Sequence, residues 1–218
     1  MPAWSVDLPR FRLFDGPSPL ERLPRFSAEL GGKVEIWIKR EDLLPLAFGG
    51  NKIRNLEFLI GAARAAGADI LVTSGRRWSN HCRLTAAAGA KAGLDVHLVL
   101  SGPPIDPPGP GVRIARLLGA TVDQLPTADR TEREAAVARV IADLHGAGRR
   151  PYLIDVGGSG PVGAVGQVLA GLELAEQTAG LGLEPAAIVL PSATGGTHAG
   201  LIVANGLMVA DGFASPAG

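Results

Sequence analysis

Ile70-Leu71-Val72-Thr73-Ser74-Gly75-Arg76-Arg77-Trp78-Ser79-Asn80-His81-Cys82-Arg83-Leu84-Thr85 changes character twice within sixteen residues. It opens as a short apolar run of strand type at 70–73, passes through a polar junction at 74–81, and continues into a helical face with Leu84 and the alanines 86–88. A strand feeding a helix through a polar turn is the repeating unit of an α/β domain. The same alternation recurs outward in both directions. Strand-like runs stand at Val34-Glu35-Ile36-Trp37-Ile38, at 96–100, at Tyr152-Leu153-Ile154 and at Ala187-Ile188-Val189-Leu190. Helical stripes at i, i+3, i+4 and i+7 lie between them: Leu56, Leu59, Ile60 and Ala63; then Val137, Val140, Ile141 and Leu144; then Val165, Val168, Leu169 and Leu172. Asp129 stands ready to cap the second stripe, with Gly146 and Gly148 to stop it, and Ser159-Gly160-Pro161 opens the third. The pattern predicts a mainly parallel sheet, with ligands beyond the carboxyl ends of its strands.

Three strand-to-helix junctions carry the unusual chemistry. In Ala47-Phe48-Gly49-Gly50-Asn51-Lys52-Ile53-Arg54-Asn55 a lysine follows two glycines at a helix start. A solvated lysine is the bland reading, yet lysine is less favourable than Asp or Glu at the positive end of a helix. That end, with Arg54, is expected to lower the amine's pKa toward a nucleophile's. The second junction sets Ser79, Asn80 and His81 side by side; Ser79 or Asn80 caps the next helix, and capping alone does not account for all three. Cys82 is expected to pack as a small hydrophobe. The third, Ser192-Ala193-Thr194-Gly195-Gly196-Thr197-His198-Ala199-Gly200, offers backbone N–H groups and hydroxyls as a phosphate cradle, without the lysine of a Walker loop or a Gly-x-Gly-x-x-Gly pattern.

Bulk composition excludes several classes. Of 218 residues, 46% are apolar and 19% charged, and 21 basic residues balance 21 acidic ones. No strong field draws nucleic acid or an anionic membrane, so an anionic ligand must be held locally. The one cysteine rules out an internal disulfide framework. No secretory leader is visible in residues 1–7 and no apolar stretch suits a bilayer, so the expectation is a soluble, cytoplasmic protein. No metal-ligand spacing is present. The Gly/Pro-rich stretch 102–111 reads as a surface loop.

An amine, a phosphate cradle and a Ser-Asn loop together suit pyridoxal phosphate. The chain resembles the D-cysteine desulfhydrase / 1-aminocyclopropane-1-carboxylate deaminase family, within the tryptophan-synthase-β-like fold. The resemblance runs through Pro19-Leu20-Glu21-Arg22-Leu23-Pro24, Lys39-Arg40-Glu41-Asp42, Gly49-Gly50-Asn51-Lys52, Ser79-Asn80-His81, Val156-Gly157-Gly158-Ser159 and Gly195-Gly196-Thr197-His198-Ala199-Gly200. It implies a fold-type II, three-layer α/β architecture: a large cofactor-binding domain from 1–54 and 159–218, incomplete, with a small α/β domain inserted at 55–158. It also implies that Lys52 forms the Schiff base and moves protons, and that Asn80 bonds the ring oxygen. Ala193, Thr194, Gly195, Gly196 and Thr197 would hold the phosphate. Ser79 would be catalytic or a carboxylate contact, with Asn80 and His81 also facing the substrate.

The implied activity is a lyase acting on a small amino acid, most directly β-elimination from D-cysteine to pyruvate and ammonia. Deamination of 1-aminocyclopropane-1-carboxylate stands second. Arg76, Arg77 and Trp78, and Ala193 in place of a glycine, depart from the family pattern. Family members also continue beyond Asp211–Gly218, so the chain alone is expected to bind cofactor poorly, with a homodimer or a second chain supplying the missing part. Two rival readings are a non-catalytic remnant that binds cofactor or a partner, and a nucleotide-binding module, which leaves Lys52 without a task.

Overall fold

The computed structural model describes residues 7–103 and 107–210; the N-terminal residues 1–6, the centre of the Gly/Pro-rich stretch and the tail 211–218 discussed above lie outside them. The chain opens with β1 (Leu20–Arg22), α1 (Pro24–Glu29) and β2 (Trp37–Lys39), β1 and β2 pairing antiparallel. It continues through α2 (Lys52–Ala65), β3 (Ile70–Arg76), α3 (Asn80–Ala92), β4 (Asp95–Ser101) and α4 (Pro110–Leu117). Then follow β5 (Thr121–Leu125), α5 (Arg130–Gly146), β6 (Pro151–Ile154), α6 (Pro161–Gly180) and α7 (Gly196–Ala210). Four strands form one parallel sheet in the order β5-β4-β3-β6, the alternation expected of βα units.

β3 is a central strand, and its first six residues are buried. Leu71 and Leu98 join Leu56, Ile60 and Leu84 in the larger core beneath α2 and α3. Val72 and Val99 point to the opposite face and pack with Ala136, Val137 and Val140 of α5. The period of two along each strand thus builds helix–sheet–helix layers. Caps act where the sequence suggests them: Asp129 Oδ1 accepts from Glu132 N at 2.8 Å, and Ser79 Oγ accepts from Cys82 N at 3.2 Å.

α2 is enclosed on most sides and keeps polar groups inside. Glu57, fully buried, accepts from Leu13 N at 2.8 Å and from Arg10, which clasps the N-terminal segment to the helix. Arg54 binds Glu41 through Nε at 2.6 Å and Glu173 through Nη1 at 2.9 Å, and it also reaches Ser18. Lys39 completes this cluster by donating to Glu173, Gln177 and the Ser18 carbonyl. The Lys39-Arg40-Glu41-Asp42 motif therefore serves to anchor α2 against α6. The two helices meet at glycine: a Cβ on Gly166 would sit 2.0 Å from the Arg54 carbonyl oxygen.

Four expectations need correction. Ala187–Leu190 forms no strand; Val189 is 95% exposed, and no described strand runs alongside to complete a ladder. The strand expected at 34–38 is placed at Trp37–Lys39, where β1 supplies its partner. The loop of 102–111 ends earlier, because Pro110 takes the first position of α4, where a missing N–H costs nothing. Gly160, not Ser159, is the N-cap of α6, and among the described residues no side chain caps that helix.

Candidate active site

Three polar junctions meet beyond the carboxyl end of β3 around a cavity of about 390 Å³, within the range of small-ligand sites. Lys52 comes from the first turn of α2, Ser79 and Asn80 from the start of α3, and Ala193 through Thr197 from the loop entering α7. His81 also lines the cavity. Every site residue singled out in the sequence is thus brought to one place. Arg76 and Trp78 share the wall, whereas Arg77 turns away, buried with its guanidinium on the Gly102 carbonyl.

The approach to Lys52 is held in an unusual backbone conformation. Ala47, Phe48, Gly49 and Gly50 all have positive φ, at 42°, 68°, 67° and 128°. The first two carry side chains, and such residues cost energy unless their surroundings impose the geometry. Here the surroundings do: Gly50 N donates to the Glu41 carbonyl at 2.8 Å, and Gly49 presses so closely on Asp42 that a Cβ would lie 2.0 Å from its carbonyl oxygen.

Burial lowers the Lys52 pKa. Arg54 is not the cause, contrary to the expectation from sequence. Its charge is taken up by Glu41 and Glu173 on the far side of the helix. Lys39 and Lys91 are committed elsewhere, Lys91 to the Leu13 carbonyl at 2.8 Å. Ser79 Oγ accepts the capping hydrogen bond from Cys82 N and pairs with the Cys82 side chain at the cavity wall. Asn80 Oδ1 accepts from Arg83 at 3.1 Å, which leaves its amide NH₂ to donate. Cys82 is buried and its thiol pushed up to about 11, chiefly by that burial, which makes it inert packing.

The loop at 193–197 has the form of an anion cradle. Gly195 adopts φ +82°, and α7 starts at the next residue, so the unbonded N–H groups of its first turn face the cavity end of the helix. Among the described residues, no acidic side chain lines the cavity. Two neighbours missed as functional from the sequence shape this loop. Ser159 Oγ donates to Thr194 Oγ1, and a Cβ on Gly157 would lie 2.5 Å from that same oxygen. The Val156-Gly157-Gly158-Ser159 motif could have signalled this, since paired glycines mark close approach.

A chain of side-chain amides ties the two arms together. Asn51 Nδ2 donates to Thr197 Oγ1 at 2.8 Å, while Gln167 Nε2 donates to the Asn51 carbonyl at 2.8 Å and to Asn55 Oδ1 at 2.5 Å. Asn55 Nδ2 then donates to the Gly158 carbonyl at 2.9 Å. The residues present fit pyridoxal phosphate: an amine without a partner among the described residues, a glycine cradle for a phosphate that is open at Gly195, and amide and hydroxyl groups between them.

Comparisons with known proteins give the chain its family and fold. Residues 11–210 match the family described as "Pyridoxal-phosphate dependent enzyme". The chain is 44% identical over 202 residues to the D-cysteine desulfhydrases of Salmonella choleraesuis (strain SC-B67) and Klebsiella pneumoniae (strain 342). That match covers 89% of this chain and 60% of each relative, so the chain spans about 60% of their length. A crystal structure of an ACC deaminase homologue superposes with a TM-score of 0.83 at 34% identity, covering 94% of this chain and 61% of that one. A threonine deaminase from T.th. superposes at 0.67 with 27% identity, covering 86% and 54%.

Proposed function

The chain belongs to the pyridoxal-phosphate-dependent enzyme family, and we propose that it works as a lyase on a small amino acid, eliminating the β-substituent of D-cysteine or a close analogue. With D-cysteine and water the products are pyruvate, ammonia and hydrogen sulfide. One observation carries the reading: the amine of Lys52, unpartnered among the described residues, and the N-terminus of α7 open into the same cavity. Bound pyridoxal phosphate supplies an electron sink for charge developing at the substrate's α-carbon.

The protein's own groups do the rest. Lys52 Nζ would hold the cofactor and, when free, would carry the proton to and from the substrate's α-carbon; its lowered pKa suits both tasks. The N–H groups of 195–197 and the hydroxyls of Thr194 and Thr197 take the phosphate. Asn80 would donate its NH₂ to the ring oxygen, and Ser79 would face the substrate carboxylate with its hydroxyl. Ala193, with its methyl group exposed, borders the cradle without filling it. The four-stranded sheet falls wholly within 55–158, which supports treating that segment as the smaller inserted domain.

The test is spectroscopic and then chemical. Purified protein given pyridoxal phosphate should develop a visible band that borohydride fixes covalently, and Lys52→Ala should lose it with its far-UV spectrum unchanged. Pyruvate should then form from D-cysteine when the part of the relatives that the 218 residues do not span is also supplied, the chain alone giving little or none. A band retained in Lys52→Ala refutes the assignment of the lysine. Ketoacid release from 1-aminocyclopropane-1-carboxylate alone would move the substrate to the second family activity.

A further inference from the structure

The imidazole of His81 is only 3% exposed, and its two nitrogens are treated very differently. Nε2 lies 3.0 Å from Thr73 Oγ1, the hydroxyl of a residue in the middle of β3. That hydroxyl has one proton, and the Ile154 carbonyl oxygen stands 2.7 Å away on β6. A carbonyl can only accept, so the threonine proton lies between those two oxygens. Thr73 therefore presents lone pairs to His81, and Nε2 must carry the ring hydrogen. The ring is neutral as well: burial first, then the charge of Lys52, pushes its pKa down to about 3. Nδ1 is left as a bare acceptor. It is closed to solvent and has no hydrogen-bond partner among the described residues.

An unpaired buried acceptor is costly, and His81 is a wall residue of the cavity, so its Nδ1 asks for a donor. Lys52 lines the same cavity, and only burial acts on its amine. Among the described residues Lys52 is the one charged group acting on the ring; Gly158, which packs beside it, and Asn55 on the same glycine are neutral. We propose that Thr73 holds His81 permanently as the Nε2–H tautomer, so that Nδ1 is the cavity's resident hydrogen-bond acceptor for the Lys52 amine. His81 is then a positioning residue, fixing where Nζ sits whenever that amine is free to move a proton. This role rests on the reading of Lys52 as the cofactor lysine. The tautomer itself does not.

The experiment is ¹⁵N NMR of the cofactor-free protein labelled at its four histidines, assigned by single substitution. His81 should show a protonated Nε2 and a bare Nδ1 from about pH 5 to pH 8, where an ordinary histidine titrates. Lys52→Met should move the Nδ1 resonance while leaving Nε2 protonated. Thr73→Val should let the Nδ1–H form appear, and Thr73→Ser should keep the wild-type pattern. An Nδ1–H or titrating His81 in the wild type overturns the lock. An unmoved Nδ1 in Lys52→Met overturns the role toward Lys52, and a pure Nε2–H form in Thr73→Val overturns the part given to Thr73. Because no cofactor is added, failure of the visible band leaves these readings independent, and Thr73→Ser with the wild type still decides the lock if Thr73→Val does not fold.

Discussion

Replacing Gly166 by alanine should destabilise the protein, although alanine is the better helix former. The added Cβ would stand 2.0 Å from the Arg54 carbonyl oxygen, 2.4 Å from its carbon and 3.0 Å from Asn55 N. An ordinary carbon–oxygen contact is about 3.3 Å, so α2 and α6 would have to part by roughly 1 Å. Both colliding surfaces are backbone, and neither can rotate away as a side chain would. Overpacking of this kind costs about 1–3 kcal/mol, and a gap that wide also forfeits dispersion along the seam. Helix propensity returns at most about 1 kcal/mol, so the net loss should be about 2 kcal/mol. For a chain of this size that lowers Tm by about 4–8 °C. Gly206, on the open face of α7 with nothing within 4 Å of its would-be Cβ, makes the control. There the same substitution should raise Tm by a few degrees. Thermal unfolding followed by circular dichroism compares them. A Gly166→Ala protein as stable as the wild type, or more so, would refute the close contact between α2 and α6.

Three further outcomes follow from the site and its anchor. Gly196→Val should weaken pyridoxal phosphate binding by about tenfold or more in a fluorescence titration, because an added Cβ would already meet Ser159 Cα at 3.0 Å and branching would crowd the cradle. Glu173→Gln should cost roughly 2 kcal/mol at neutral pH, measured in urea, through the weakened bonds to Arg54 and Lys39. It should also flatten the acid limb of stability. Burial works to raise the Glu173 pKa, but hydrogen bonds from Arg54 and Lys39 hold it below its ordinary 4.5. Its contribution is therefore complete above that value and disappears as pH falls through the lower folded value, so an acid limb unchanged in the variant would contradict the pairing.

Much of the βα pattern was legible because burial writes itself into composition. β3 and β4 are flanked by neighbours on both sides, so their residues are almost continuously buried and each carries a short apolar run, 70–72 and 98–100. β5 escaped notice for the opposite reason: it is an edge strand, its centre is Asp123-Gln124, and its neighbour rather than its own residues defines it. Ala187–Leu190 shows the converse error, an apolar run with strand propensity but no described partner. At the site, Lys52, Ser79, Asn80 and 193–197 could be named from their junctions, since glycines and hydroxyls have few other reasons to cluster there. The anchor of Arg54, Glu41 and Glu173 could not, because its members are up to 132 residues apart and each is ordinary by itself. Thr73 was hidden too, as a β-branched residue at home in any strand.

The amide chain that runs from Gly158 through Asn55, Gln167 and Asn51 to Thr197 has a consequence for descent. Each link uses a donor or acceptor with no substitute nearby among the described residues, and Gln167 and Asn55 are sealed from water. Gln167 and Asn55 bond side chain to side chain, as do Asn51 and Thr197, so a lineage that loses one member of either pair strands its partner's polar group. Positions 55 and 167, and likewise 51 and 197, should therefore be inherited as pairs, each kept together or exchanged together, while the main-chain carbonyl that joins the pairs is supplied by any residue at 51. Their alignment columns should be correlated even where the residues around the substrate have diverged.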